Sequence, residues 1–135
     1  CIRDRDNPVF YVQYAHARIA SLRRRAAEAK VELSAPDLSR LDTEELALVK
    51  LAAQFPRVVE TAAAAREPHR IAFYLYDLAA AFHALWNVGN DRPDRRFVLA
   101  DDPAVTAARL FLADGIGQII RNGLSIMGVE AVSEM

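Results

Sequence analysis

The chain has 135 residues, 53% of them hydrophobic, and a formal net charge of −1. This length and composition predict a single domain, residues 1–135, that can bury a core. The near-neutral charge excludes a positive field over the whole surface, so any nucleic-acid site must be a local patch. Only Lys30 and Lys50 are lysines, and the remaining positive charge is arginine, which favours stacked and forked contacts.

The rest of the composition points to the cytoplasm. Cys1 is the one cysteine, so the sequence predicts neither an internal disulfide nor a zinc site with cysteine ligands. No apolar run approaches the roughly 18 residues of a membrane span, and no charged-then-apolar leader opens the chain. Residues 1–6 are charged and unpatterned and predict a linker. We therefore expect a cytoplasmic protein without a membrane partner.

The first predicted helix covers residues 7–30. Asn7 can cap its free amides, and Pro8 suits the first helical position because its missing N–H needs no partner there. An apolar stripe at steps of three or four predicts the buried face: Val9, Val12, Ala15, Ile19, Leu22, Ala26 and Ala29. A neighbouring stripe carries the polar and aromatic side chains Tyr11, Tyr14, Arg18, Ser21 and Arg25.

This second stripe has two interpretations. Phenol rings and guanidinium planes on one face suit unpaired bases and phosphates. The same tyrosines can equally cover the edge of a helical bundle. Arg23 and Arg24 at the helix end are likewise either solvated charges complementing the helix dipole or RNA contacts.

Residues 31–41 predict a connector, and the second helix follows it. Asp42 and Glu45 have the spacing of a capping box, so this helix should begin at Thr43. Its predicted inward residues are Leu46, Val49, Ala52 and Ala53. Pro56 predicts a break at Phe55, because proline blocks a backbone hydrogen bond and clashes with the preceding turn. A shorter helix should follow, through residues 57–66.

The next helix is predicted from about Pro68 to Val88, with Gly89 ending it in a left-handed conformation. Its buried stripe is Ile71, Leu75, Leu78, Phe82, Leu85 and Gly89. Trp86 lies one turn beyond Phe82. An indole at this place either closes the core or offers its face to a base.

Residues 90–102 predict a solvated loop, because their arginines and aspartates largely cancel. Asp102 and Pro103 predict the start of a closing helix that continues to Met127 and ends at Gly128. Gly115 and Gly117 inside it predict sites of close helix approach. Residues 129–135 predict a C-terminal tail that folds back over the bundle. The fold class is therefore all-α, a helical bundle of about four or five helices.

Catalytic motifs are absent from the sequence. It has no phosphate-binding glycine loop, no nucleophile elbow and no Glu-x-x-His pair, so we predict no catalytic residue and no metal site. His16, His69 and His83 lie on separate turns. The first and last of these fit hydrogen-bonded helix residues better than metal ligands.

Three blocks resemble one family. NPVFYVQYAHAR at residues 7–18 resembles the opening of the C-terminal, DALR-type anticodon-binding domain of the arginyl-tRNA synthetases, a class I aminoacyl-tRNA synthetase family. EPHRIAFYLYDLAAAFHALWN at residues 67–87 and GLSIMGVEAVSEM at residues 123–135 resemble later blocks of the same domain, in the same order. The resemblance implies an anticodon-binding module of an arginine–tRNA ligase. Aminoacylation with ATP, Mg²⁺ and arginine would then belong to a catalytic domain of the same polypeptide, since the HIGH and KMSKS signatures are absent here.

The resemblance also implies which residues meet the anticodon loop of tRNA(Arg). Carried onto matching positions, the contacts are Tyr14, Arg18, Phe82, Trp86 and Met135, with Tyr11 and Gln13 as weaker candidates. Two positions depart from the family pattern. Val132 stands where relatives usually have a proline, and Phe82 lacks the hydroxyl of a tyrosine. The alternative function is a helical protein–protein interaction module, in which the Tyr11 and Tyr14 face docks a partner helix.

Overall fold

The computed structural model describes residues 8–30 and 35–132, apart from the side chain of Pro8. It contains five α-helices, which we number α1 (Pro8–Glu28), α2 (Thr43–Ala52), α3 (Phe55–Ala65), α4 (His69–Asp91) and α5 (Pro103–Ile126). Short 3₁₀ turns lie at Leu38–Arg40 and Pro93–Arg95. These described residues contain no β-strand. The predicted all-α bundle is confirmed.

The core lies where α1, α4 and α5 pack against one another, with α2 and α3 covering a further side of α4. The largest side chains sealed inside include Phe82, Leu75, Leu78, Ile116 and Ile120. The predicted buried stripe of α1 is confirmed from Val12 to Ala26, whereas Ala29 is exposed. No helix within the described ranges has the length and apolar character needed to cross a lipid bilayer.

Local signals set most helix ends. Asp42 accepts from the Glu45 amide at 2.9 Å and Glu45 accepts from the Asp42 amide at 3.1 Å, so the predicted capping box is formed. The predicted break is also confirmed, although it lies at residues 53–54 rather than at Phe55, because α2 stops at Ala52 and α3 already begins at Phe55. Asp102 caps α5 through the Val105 amide at 3.2 Å. The predicted cap by Asn7 lies outside the described residues.

The second helix faces the core differently from the prediction. Leu46 is 43% exposed and Ala53 is also exposed, whereas Glu45 and Leu48 are buried. Glu45 faces inward because its carboxylate accepts a hydrogen bond from Arg109 of α5. The distance from Arg109 Nε to Glu45 Oε2 is 2.9 Å. Glu45 therefore faces inward, where the apolar pattern had predicted Leu46.

Gly89 does not end the fourth helix. The helix continues two residues further to Asp91, and among the described glycines only Gly128 has a positive φ. A Cβ built at Gly89 would lie 3.2 Å from the Cα of Arg96, so this glycine lets the following loop approach the helix closely. The prediction that this loop is solvated is wrong for Phe97, which is buried.

The glycines of α5 differ in what surrounds them. A Cβ at Gly117 would lie 3.2 Å from Ile19, which confirms the predicted close approach there. The same prediction for Gly115 is wrong, because no neighbouring atom of the described residues lies within 4 Å of its Cβ position. The tightest approach is at Gly123, where a Cβ would lie 2.7 Å from Cδ1 of Leu75.

A matched pair of substitutions tests this difference. Gly123→Ala is expected to lower the free energy of unfolding by about 1–3 kcal/mol, because Leu75 is fully buried and has little room to move. Gly115→Ala is expected to raise it by up to about 1 kcal/mol through helix propensity. Urea denaturation of both variants measures the two effects. Equal changes in the same direction would contradict the packing at Gly123.

Candidate nucleic-acid interface

Aromatic rings and guanidinium groups from two helices meet along the seam between α1 and α4. On α1 they recur at helical spacing, and on α4 they form a stripe beside the buried one. We call this surface the rim, and define it by its members: Tyr11, Tyr14, Arg18 and Arg25 of α1, and Tyr76, His83 and Trp86 of α4. The predicted aromatic and arginine face of the first helix therefore lies against a second aromatic face.

Arg18 lies at the centre of the rim. Its Cζ is 4.6 Å from the ring centroid of Tyr14 and 4.9 Å from that of Trp86. Its Nη2 donates to the Tyr14 hydroxyl at 3.2 Å, and its Nη1 donates to Nδ1 of His83 at 3.0 Å. Contacts on both amino groups and with two rings fix the plane of the guanidinium.

Trp86 closes the core, as one of its two sequence-based interpretations predicts, while its contact with a base stays a prediction. It is half-buried, and its ring centroid lies 6.2 Å from that of Phe82 and 6.5 Å from that of Phe97, so it closes the core. It also belongs to the surface, because Arg18 and Arg25 lie over its ring, Arg25 at 5.0 Å from Cζ to centroid. The indole thus holds two positive charges in place at the edge of the bundle.

Tyr11 extends the rim away from Trp86. Its ring centroid lies 5.1 Å from that of Tyr76 and 4.6 Å from that of His83. Burial raises the pKa of the Tyr11 phenol, Tyr76 adds to the rise and Arg18 opposes it. The phenol is therefore uncharged at neutral pH and offers no negative charge that would repel phosphate.

The contact with Arg18 fixes the tautomer of His83. A guanidinium can only donate, so Nδ1 of His83 must accept and the proton must lie on Nε2. Burial and the nearby Arg18 charge lower the pKa of His83 to about 4, with the Tyr11 backbone acting weakly in the opposite direction. Nε2 is buried without a hydrogen bond of normal geometry to the described residues. The imidazole is thus neutral and acts as an acceptor that orients Arg18.

A groove opens beside Trp86, between the end of α1, the last turns of α4 and the loop that follows. Its volume is about 570 Å³, within the range of about 300–1,000 Å³ typical of small-ligand sites. Side chains that line it and can contact a nucleotide are Arg25, Glu28, Trp86, Asn90, Arg96 and Phe97. An aromatic face, an amide and two guanidiniums therefore border one open space.

Phe82 does not belong to this surface. Its side chain is 0% exposed and packs against Phe97 with 5.3 Å between centroids. The predicted contact between Phe82 and RNA is corrected accordingly, because no face of the ring is open to a ligand. Its role is to support Trp86 from inside the core.

The C-terminal tail runs along another flank of α1. Gln13 Nε2 donates to the Glu130 carbonyl at 3.0 Å, and His16 Nδ1 donates to the Val132 carbonyl at 2.6 Å. At about 100° per residue, His16 lies nearly opposite Tyr14 on the helix. The described part of the tail therefore folds back as predicted, along the flank of α1 that carries Gln13 and His16. Met135 lies outside the described residues, so its contact with RNA stays a prediction.

His16 is held by hydrogen bonds on both ring nitrogens. Because Nδ1 donates to the Val132 carbonyl, Nε2 accepts from Arg121 Nη1 at 3.1 Å.

Arg23 pairs with Asp114, and its Nε lies 3.0 Å from Oδ1 of that carboxylate. The part of the chain that the structure describes holds no group of three or more His, Cys, Asp or Glu placed to bind a metal.

Sequence reasoning missed some members of this surface. His83 and Tyr76 were not assigned to it, although seven- and three-residue steps place both on one stripe with Trp86. Arg96 and Phe97 were assigned to a solvated loop. The apolar Phe97 between charged neighbours was the available signal that this loop docks.

Comparisons with known proteins agree with this geometry. A family model described as the DALR anticodon binding domain matches residues 12–135. An arginine–tRNA ligase of Novosphingobium aromaticivorans is 66% identical over 131 residues, which cover 97% of this chain and 22% of that protein. The arginine–tRNA ligase of Rhodospirillum rubrum is 52% identical, with 98% of this chain and 24% of that protein covered. The chain thus spans about a quarter of the length of these relatives.

A solved structure extends the similarity to the fold. The arginyl-tRNA synthetase of Thermus thermophilus matches with a TM-score of 0.81 and 37% sequence identity, over 93% of this chain and 21% of that chain. Neither the family nor the relatives favour the alternative of a protein-interaction module. With residues 12–135 matched by the family model, and an all-α bundle shared with that synthetase, this chain belongs to the DALR anticodon binding domain family.

Proposed function

We propose that this chain binds the anticodon loop of an arginine tRNA and that the rim receives its unpaired bases. The relatives named as arginine–tRNA ligases support the choice of tRNA. The observation that carries the proposal is the fixed position of Arg18, which lies over the rings of Tyr14 and Trp86 beside an open groove. Flat rings and guanidiniums in such an arrangement are the usual means of holding splayed bases.

The chemistry assigns separate tasks to the members of the rim. Arg18 has five N–H donors, of which its contacts with Tyr14 and His83 each use one. The remaining donors are available to base oxygens and ring nitrogens. Tyr11, Tyr14 and Trp86 provide ring surface for stacking, which is typically worth about 1–3 kcal/mol per base.

Phosphate contacts fall to the arginines at the groove. Arg25 and Arg96 border it and are exposed, so both can reach a backbone that passes over Trp86. Gln13, a weaker candidate for base contact, is engaged with the Glu130 carbonyl, and we assign it to holding the tail. Met135 keeps its assignment from the family resemblance.

For the whole protein we propose an arginine–tRNA ligase of the cytoplasm. Residues 1–135 would form its anticodon-binding domain, joined through residues 1–6 to a catalytic domain in the same polypeptide. We assign ATP, Mg²⁺ and arginine to that catalytic domain, because this sequence lacks the class I signatures. Anticodon binding would place the acceptor end of the tRNA at that other domain.

An RNA-binding assay tests the proposal. The chain is expected to bind an unmodified anticodon stem-loop of arginine tRNA and to bind the same stem with a scrambled loop at least about tenfold more weakly, because base contacts carry specificity. With about four phosphate contacts or fewer, the plot of log K against log salt should have a slope of about −3 or shallower. Equal affinity for both loops would contradict anticodon recognition, and a much steeper slope would place the binding surface elsewhere.

A further inference from the structure

The loop that follows α4 forms one wall of the groove. Its Arg96 and Phe97 both line the space beside Trp86, and Phe97 packs on Phe82 inside the core. Arg96 is also tethered, since its Nε donates to the Gly89 carbonyl at 3.1 Å. The shape of the groove and the location of one of its positive charges therefore depend on where this loop lies.

One buried side chain holds the loop from the opposite side. Arg109 of α5 is 6% exposed, and its Nη1 donates to the carbonyls of Asp94 at 3.1 Å and Arg96 at 2.6 Å. Its Nε donates to Oε2 of Glu45 at 2.9 Å. Arg109 does not line the groove. It contacts the backbone of the loop immediately beneath the residues that do.

The loop is fixed at two further points, one within this contact and one after it. Arg95 forms an ion pair with Asp42, the residue that caps α2. Thr106, which is fully buried, accepts from the Leu99 amide at 2.8 Å and donates to the Leu99 carbonyl at 2.9 Å. The ion pair holds a side chain of the segment that Arg109 contacts, and Thr106 fixes the backbone three residues further on. Among the described contacts, only Arg109 bonds the carbonyls of Asp94 and Arg96.

Glu45 stabilises the start of α2 through the capping box, but that bond uses Oε1 and does not require Arg109. Burial raises the pKa of the Glu45 carboxyl and the Arg109 guanidinium opposes that rise, which reflects the cost of removing both charges from water. Buried ion pairs can often be replaced by apolar side chains without loss of stability. A guanidinium, however, has a planar fork that can bond a carboxylate and two carbonyls together, which no apolar residue reproduces.

We propose that Arg109 is a positioning residue for RNA binding, acting through the loop carbonyls on Arg96 and Phe97. The inference rests on the proposed function, because the groove matters only if the rim receives RNA. Arg109 touches no RNA itself. Its loss should move the groove wall while the helices of the bundle keep their places.

Two variants of the full chain separate a positioning role of Arg109 from a contribution of Arg109 to the stability of the fold. Glu45→Gln/Arg109→Met removes both charges while the glutamine oxygen can still accept from the Asp42 amide, and Arg109→Lys keeps a charge for Glu45 but loses the fork. Both are expected to bind the arginine anticodon stem-loop about five- to tenfold more weakly. Their melting temperatures are recorded beside that of Arg70→Met, which breaks an ion pair with Glu67 near the start of α4 and should leave affinity within about twofold.

Two further readouts report on the groove wall. Trp86 is the sole tryptophan, so the fluorescence of the chain reports on the groove wall. In both Arg109 variants its emission should shift to longer wavelength, and acrylamide should quench it more strongly. Arg96→Met should weaken binding about fivefold in the unaltered chain and have little further effect in the Glu45→Gln/Arg109→Met background.

The outcomes distinguish this inference from the proposed function. Unchanged affinity and fluorescence in the Arg109 variants would overturn the positioning role while Trp86-dependent binding still supports the RNA site. The positioning role would also be overturned if the affinity losses caused by Arg96→Met and by the Arg109 variants were fully additive. Failure of the unaltered chain to bind the stem-loop would overturn both proposals. Non-additive losses of affinity between Arg96→Met and the Arg109 variants, with little change in melting temperature, would support both.

Discussion

Trp86→Ala is expected to weaken binding of arginine tRNA by tenfold or more. The indole supplies ring surface at the rim, and loss of one stacked base typically costs about 1–3 kcal/mol, or roughly 5- to 150-fold in affinity. The substitution also removes the ring over which Arg18 and Arg25 are held. Both effects act on the free energy of binding in the same direction. Titration of the chain with labelled tRNA measures the change.

Two controls separate this loss from damage to the fold. Trp86→Phe keeps a smaller ring on Phe82 and should give an intermediate affinity. Phe73→Ala removes an aromatic ring from the same helix that is 63% exposed and lies outside the rim, and it should leave affinity nearly unchanged. We expect Trp86→Ala to remain folded because the ring is only half-buried. Unchanged affinity together with an unchanged melting temperature would remove Trp86 from the RNA site.

The second large effect concerns pH. The lowered pKa of His83, about 4, means that the folded chain keeps this imidazole neutral where the unfolded chain protonates it, near pH 6.5. The unfolded state therefore binds more protons between about pH 4 and 6.5, so stability rises with pH in this window. As pH falls from 6.5 to 4, His83 should remove about 2–3 kcal/mol from the free energy of unfolding.

His83→Asn tests this effect, because the asparagine oxygen can still accept from Arg18 while the titrating group is gone. Urea denaturation at pH 7 and pH 4 should show a smaller loss of stability in the variant than in the unaltered chain. His69→Asn, which removes an exposed imidazole from the same helix, controls for the loss of a histidine. Parallel pH profiles for His83→Asn and the unaltered chain would contradict a neutral, buried His83.

The rim shows how far helical spacing alone could predict the candidate site. The spacing of Tyr14 and Arg18 placed them on one face of α1, and the structure brings both together with Trp86. Spacing also placed Phe82 in the buried stripe of α4, whereas the resemblance implied an RNA contact for it, and the structure seals it inside. Spacing did not show that the adjacent His83 would turn toward Arg18, which depends on how α1 packs against α4.

The sequence by itself determined where helices begin and break and which stripes are buried. Capping by Asp42 and Asp102, the break at Pro56 and the apolar periodicity act over a few residues, so they can be recognised without a structure. Tertiary structure decided that Glu45 rather than Leu46 faces inward and that the loop after α4 docks. Those outcomes depend on Arg109, which lies 64 residues beyond Glu45 and comes within hydrogen-bonding distance only when α5 packs on the bundle.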